Sequence, residues 1–312
     1  MERSCNVSAV RTFRWRLAGR LLGRLAGRLP ARLAALALCL GVSAACHSPA
    51  EVERAQPGRL TCPRKVDLLP EIAAAGATTV FGEIHGTREA PEFFGDVVCN
   101  AALGPQRVLV GLELPSSETG AVQAFLAGHD QLAGREFWTQ PFQSGRTSAA
   151  MLALLSELRR IIQRNPRVEL FLFDIPQGVD PQGRDAGMAD AIFRTRASDR
   201  EAVVVLLVGN LHARKTKGVP WDSELEPMAY HLVNRGLRLI SLNIRNPRGT
   251  AWICSSNDAA SCGPAKLGGE EPSPGASPRG IRLDGATSPD GYDGVYIVSS
   301  VTASPPAMPV RR

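Results

Sequence analysis

Two short stretches of this chain share one form: "GEIH" at residues 82–85 and "GNLH" at residues 209–212. Each runs glycine, polar residue, aliphatic, histidine, and each closes an apolar run. In extended backbone, residues two apart lie on the same side. Glu83 and His85 therefore face one way while Ile84 faces the other, and Asn210 and His212 repeat the arrangement. A carboxylate beside an imidazole fixes its tautomer, which makes a general base with an orienting partner. The same two histidines with Glu83 and Glu113, the acid of "GLELP", could instead hold a divalent metal that activates water, since imidazole and carboxylate suit manganese, zinc or iron. A histidine at a cleft mouth can also ligate haem iron. The residue types leave all three chemistries open.

These residues need elements to position them. Apolar runs recur at "TTVFGEI", "RVLVGLEL", "VELFLFDI", "VVVLLVGN", "RLISLNI" and "GVYIVSSV". Near-continuous apolarity without alternation is the pattern of strands covered on both faces. Helical patterns lie between them: "APEFFGDVVCNAAL", "TSAAMLALLSELRRIIQRNP" with a Thr147 or Ser148 cap, "RDAGMADAIFRTRA", and "ELEPMAYHLVNRG" closed by Gly236. Strands alternating with helices predict an α/β fold, a mostly parallel twisted sheet flanked by helices. Residues 116–145 interrupt the alternation and read as a helical insertion or lid.

In such sheets ligands bind beyond the carboxyl ends of the strands. Almost every predicted strand ends there in a polar residue: Glu83 and His85, Glu113, Asp174, Asn210 and His212, Asn243. A lone strand-end acid or histidine more often satisfies nearby backbone than catalyses; alignment of several along one edge favours function. The candidate catalytic set is Glu83, His85, Glu113 and His212, with His85, His212 and Glu83 as ligands if a metal is used. Asp174, Asn210 and Arg184 are candidate substrate contacts, Arg184 as the holder of an oxyanion. Asp185 reads as a cap at the start of its helix. Arg88 and Arg214, just after the two motifs, are candidates to neutralise an anionic substrate. His129 and His231 read as structural, and Asp293 as a turn residue. No G-x-S-x-G or Walker-type loop occurs, so serine-hydrolase and nucleotidase readings lack their motif.

The first 46 residues distort the composition. They hold eight arginines, Glu2 and the apolar run "LAALALCLGVSAAC", the layout of a secretory leader. Without them the formal charge falls from +6 to about −1, so the basic balance gives no support to a nucleic-acid partner. Cleavage after Ala44 would release a soluble periplasmic or secreted protein. Cleavage before Cys46, in the imperfect lipobox "SAAC", would give an envelope lipoprotein held to the membrane by its lipid alone. Residues 47–66 read as a linker, 67–302 as one large domain containing a flexible loop at 263–290, and 303–312 as a disordered tail. Setting aside Cys5, Cys39 and Cys46 leaves an even number of cysteines in an exported chain. Cys254 and Cys262 flank a polar loop and are expected to pair, leaving Cys62 with Cys99.

At "GEIHG", "GLELP", "RDAGMAD" and "GNLHA" the chain resembles the broad superfamily of erythromycin esterases, the haem-binding lipoprotein ChaN, and the TraB and Tiki proteins. The resemblance spans residues 67–302 and implies a parallel sheet with both glycine-to-histidine motifs at one edge. From the esterases it implies acid, base or water-orienting roles for Glu83, His85, Glu113 and His212. From the Tiki proteins it implies His85 and His212 as metal ligands in a hydrolase acting on a peptide. From ChaN it implies haem binding at the envelope and a part in iron uptake. The chain departs from the esterases where they carry an arginine after the first histidine, a region held here by Phe93 and Phe94, which argues against a macrolide substrate. It departs from ChaN in having no tyrosine near "GEIHG" to serve as an anionic haem ligand.

Overall fold

The apolar runs form strands because both of their faces find cover. β1 (Thr78–Glu83), β2 (Val108–Pro115) and β4 (Val203–Gly209) are buried at every residue, and β3 (Val168–Asp174) at most of them. With β5 (Ile240–Ile244), β8 (Gly280–Leu283) and β9 (Gly294–Ile297) they make a seven-stranded sheet in the order β3-β2-β4-β1-β5-β9-β8. All pairings are parallel except β8 with β9, so the carboxyl ends of β1 to β5 share one edge. The computed structural model describes residues 59–308 apart from 130–131, 141, 144, 176–180, 220, 246, 257 and 270–278. The expected leader, the lipid site Cys46, most of the linker and residues 309–312 lie outside the described residues.

Helices cover the sheet as the patterns predict. After the one-turn α1 (Pro70–Ala73), α2 (Glu89–Ala102) packs on α5 (Ala149–Arg164), which Ser148 caps by accepting the Met151 N–H at 3.3 Å. Phe93 and Phe94 of α2 are fully buried against Phe81 and Tyr296. On the other face, α6 (Pro181–Ser198) packs against α7 (Met228–Asn234), and Met188, Ile192 and Leu232 meet Val204, Leu206 and Val208. Gly236, at φ +80°, ends α7. The insertion after β2 is helical, with α3 (Thr119–Leu126) and α4 (Glu136–Thr139), and it buries Trp138 completely. No helix among the described residues is long and apolar enough to cross a membrane.

Three readings of the chain's second half are corrected, and one strand is added. "GVYIVSSV" is not one strand: β9 stays in the large sheet, while β10 (Ser300–Val301) joins a second sheet, β10-β6-β7. Its other strands are β6 (Arg248–Cys254) and β7 (Cys262–Gly268). Strand β6 was hidden by its glycine and polar start, "RGTAWIC". The stretch 263–290, read as a flexible loop, contains β7 and β8; both are edge strands, where Pro264 and glycines are tolerated but erase the strand signal. Residues 303–308, read as disordered, pack on the domain: Ser304 N–H donates to the Gly86 carbonyl, Ala149 N–H to Pro305, and Ala307 N–H to Thr147, each at 2.8 Å. Both expected disulfides are present. Cys254–Cys262 joins paired residues of β6 and β7, and Cys62–Cys99 ties the segment before α1 to α2.

Candidate active site

At the carboxyl edge, Glu83 and Gly209 are paired in register at the ends of β1 and β4, the two central parallel neighbours. Glu113 comes from β2, on the far side of β4, where the register with β3 shifts between Leu112 and Pro115. An irregularity of this kind re-aims a side chain. It brings the Glu113 carboxylate over Gly209, whose N–H it accepts at 2.7 Å. The glycine leaves room for the three side chains: a Cβ there would stand 3.0 Å from His85 Nε2 and 3.5 Å from both Glu113 Oε2 and His212 Cδ2.

His85 lies between two buried carboxylates. Its Nδ1 is 2.9 Å from Glu83 Oε1 and its Nε2 is 3.2 Å from Glu113 Oε2. Carboxylates only accept, so both ring nitrogens donate and the ring is an imidazolium. Burial opposes that charge, but Glu113 and then Glu83 outweigh it and raise the group from 6.5 to about 9. Burial likewise works against the charge of Glu113, and His85, then His212 and Arg146, hold its carboxyl well below the ordinary 4.5.

His212 is built differently. Its Nδ1 is 2.7 Å from Asp185 Oδ1, and its Nε2 is 3.0 Å from Arg184 Nη1. A guanidinium only donates, so Nε2 carries the lone pair and the proton sits on Nδ1 facing Asp185. The two histidines converge through Nε2 on Glu113, at 3.2 Å from one of its oxygens and 3.9 Å from the other. Arg184 Nη2 donates to Glu113 at 2.5 Å and its Nε to Asp174 at 2.9 Å. Burial opposes the Arg184 charge, and these carboxylates raise its pKa further above the ordinary value.

The structure brings Glu83, His85, Glu113, His212, Arg184 and Asp174 into one network, with the Asn210 N–H held by the Glu83 carbonyl at 2.9 Å. Two further members were not read in their roles. Arg146, in a 3₁₀ turn at Gly145–Thr147, pairs with Asp174 and stands 3.7 Å from Glu113. Nothing in "QSGRTS" marks it, because the contact crosses from the insertion to the ends of β2 and β3. Asp185 does not cap its own helix: it orients His212 and accepts the first N–H of α7, from Met228, at 2.6 Å. Its neighbour Arg184, already a candidate, was the available hint. Other candidates lie elsewhere. Arg88 is exposed at the start of α2, and Arg214 pairs with Asp290. Asp293 does more than turn the chain: it pairs with Lys215 and accepts the Ser241 N–H at 2.8 Å.

The donor set gives the metal and haem expectations no support. Both nitrogens of His85 and both of His212 are engaged, and two guanidinium groups stand among the carboxylates that would have to receive a cation. Among the described residues no group of three or more His, Cys, Asp or Glu is arranged to hold a metal ion. His85, His212 and Glu83 are therefore not a fitted metal site, and neither histidine presents a free nitrogen to haem iron.

The fold has relatives among solved structures. A Bacillus cereus protein matches with a TM-score of 0.56 at 13% identity, covering 75% of this chain and 91% of that one. An erythromycin esterase, EreC, solved as a histidine-to-asparagine mutant in its open conformation, matches with a TM-score of 0.57 at 12% identity, covering 75% of this chain and 93% of the esterase. No family model matches the chain, and no curated protein does. These likenesses establish a distant similarity to an esterase-type fold. They do not single out a ChaN or Tiki family.

Proposed function

We propose that this protein is a metal-free hydrolase of carboxylic esters or lactones. The observation that carries the reading is the pair of histidines, each fixed at Nδ1 by a buried carboxylate and aimed through Nε2 at the same cleft, one Nε2 against a carboxylate and the other against a guanidinium. Groups whose environments set them in opposite protonation states divide naturally into acid and base. His212, oriented by Asp185, takes a proton from water as its oxygen bonds to the substrate carbonyl carbon. Water must occupy the position where Arg184 meets Nε2, and the freed guanidinium then faces the developing oxyanion. The imidazolium of His85 gives its Nε2 proton to the leaving oxygen as the acyl–oxygen bond breaks, releasing acid and alcohol. Glu113, in contact with both histidines, returns the proton from His212 to His85. Glu83 positions His85. Water activation, expected of Glu83 with His85, thus passes to His212, because His85 already holds its proton at neutral pH.

The leader-like first 46 residues and the two disulfides support an exported chain, lipid-anchored or free. The test is hydrolysis of p-nitrophenyl esters by the purified mature protein, beside His212→Ala and His85→Ala, with and without a chelator. Turnover that survives the chelator and falls at least about 10²-fold in both variants supports the reading. Turnover abolished by the chelator, or unchanged in either variant, would overturn it.

A further inference from the structure

The wall of the cleft facing the ionic network is apolar, and the central strands do not supply it. Phe142 comes from the insertion between β2 and β3, and Trp252 and Ile253 come from β6 of the second sheet; with Leu211 they line a cavity of about 350 Å³ that opens onto Glu83, His85 and His212. Phe142 and Ile253 remain 38% and 36% exposed, large apolar side chains left in water at the mouth of the site. The two parts of the wall touch. Cys254 Sγ lies in contact with the Gln143 carbonyl at 3.7 Å, and its disulfide to Cys262 braces the β6–β7 pair. The Trp252 N–H donates to the Gly86 carbonyl at 2.9 Å, one residue beyond His85. The β6 part of the wall is therefore anchored beside the turn that carries His85.

Charge gives a second constraint. The network contains four carboxylates, Glu83, Glu113, Asp174 and Asp185, against Arg146, Arg184 and, when protonated, His85. With His212 uncharged it is negative in either state of His85, and both arginines are paired with carboxylates. A carboxylate or phosphate on the substrate would be repelled by this excess, since only Nη1 of Arg184 turns from the carboxylates toward His212 and the cleft. The volume is at the small end for ligand pockets.

We infer that the site takes a compact, uncharged ester or lactone whose aromatic or branched apolar group seats against Trp252 and Phe142 while its carbonyl faces His85 and His212. This rests on the hydrolase reading for the carbonyl and on the cleft alone for the apolar, uncharged group. Two measurements separate the parts. The first is kcat/KM for p-nitrophenyl benzoate, acetate and hemisuccinate; benzoate should exceed the anionic hemisuccinate by about ten-fold or more. Trp252→Ala should lower the benzoate-to-acetate ratio about ten-fold, through KM, and Trp252→Phe should largely restore it. The second is binding of neutral benzamide and anionic benzoate, followed by isothermal titration calorimetry, which needs no turnover and no tryptophan signal. Benzamide should bind and benzoate should not, and Trp252→Ala, checked for native melting, should lose benzamide. Ester turnover with no benzoate preference, or with a ratio indifferent to Trp252→Ala, would overturn the inference and leave the hydrolase reading standing. Benzamide binding without any ester turnover would do the reverse. Equal binding of benzamide and benzoate would overturn the charge argument and with it the inference.

Discussion

At the end of β1, His85 donates from both ring nitrogens to carboxylates; at the end of the neighbouring β4, His212 has a carboxylate on one side and a guanidinium on the other. The two motifs that place them, "GEIH" and "GNLH", are near copies. Their histidines nonetheless meet different partners, because the deciding groups come from other elements: Glu113 from β2, and Arg184 and Asp185 from α6. A motif at a strand end supplies an imidazole. The elements arriving from elsewhere determine its charge.

Glu113 is the common partner, so removing it is the harshest way to break the contrast. Glu113→Ala leaves Arg184 and the His85 imidazolium without their shared counter-charge and should cost about 3–5 kcal/mol in urea denaturation. A loss below about 1 kcal/mol would mean that the network contributes little to the fold. The next effect belongs to His85 alone. Its folded value of about 9 lies above the ordinary 6.5, so folding favours the protonated form. That stabilisation is fully present below about pH 6.5 and is lost as pH rises through 9, at most about 3 kcal/mol over the window. His85→Gln should flatten this limb, whereas His212→Gln should leave it in place; melting temperature against pH distinguishes the two histidines.

Asp185→Asn sharpens the other side. The amide removes the carboxylate that holds the proton on Nδ1, and kcat/KM for an ester should fall about 10²-fold or more, with a smaller loss of stability from the weakened Met228 contact. An unchanged rate would show that His212 is not the base. The smallest effect is expected from Gly209→Ala, whose methyl would crowd His85 Nε2 at 3.0 Å. It should cost about 1 kcal/mol, and the alkaline limb of the stability curve should move to lower pH as His85 is pushed from Glu113. A shift in the opposite direction would count against the crowded geometry.

Much of this arrangement could be read in the sequence, for a physical reason. Strands buried on both faces must be almost wholly apolar, so the polar residues at their carboxyl ends stand out as departures from a strict pattern; Glu83, Glu113, Asp174 and His212 were found this way. The helices declared themselves through stripes and caps, as with Ser148. Arg146 could not be found, because its place depends on how a turn in the insertion returns over β2 and β3. Asp185 was assigned to its own helix, since local capping is what a sequence window shows, whereas its partners are 27 and 43 residues away. Strands β6 to β8 were missed because edge strands tolerate the glycines, prolines and polar residues that also mark loops.

The carbonyl of Gly86 accepts two amides, one from Trp252 and one from Ser304. The turn that carries His85 is therefore clasped by segments about 170 and 220 residues later in the chain. A ribosome makes protein from the amino end, and domains fold as their parts become available. The first histidine is made early, but its clasp waits for nearly the last of the described chain. The centre is therefore among the last features to assemble, and a chain cut short before residue 304 carries the reactive groups without the geometry that would set them to work.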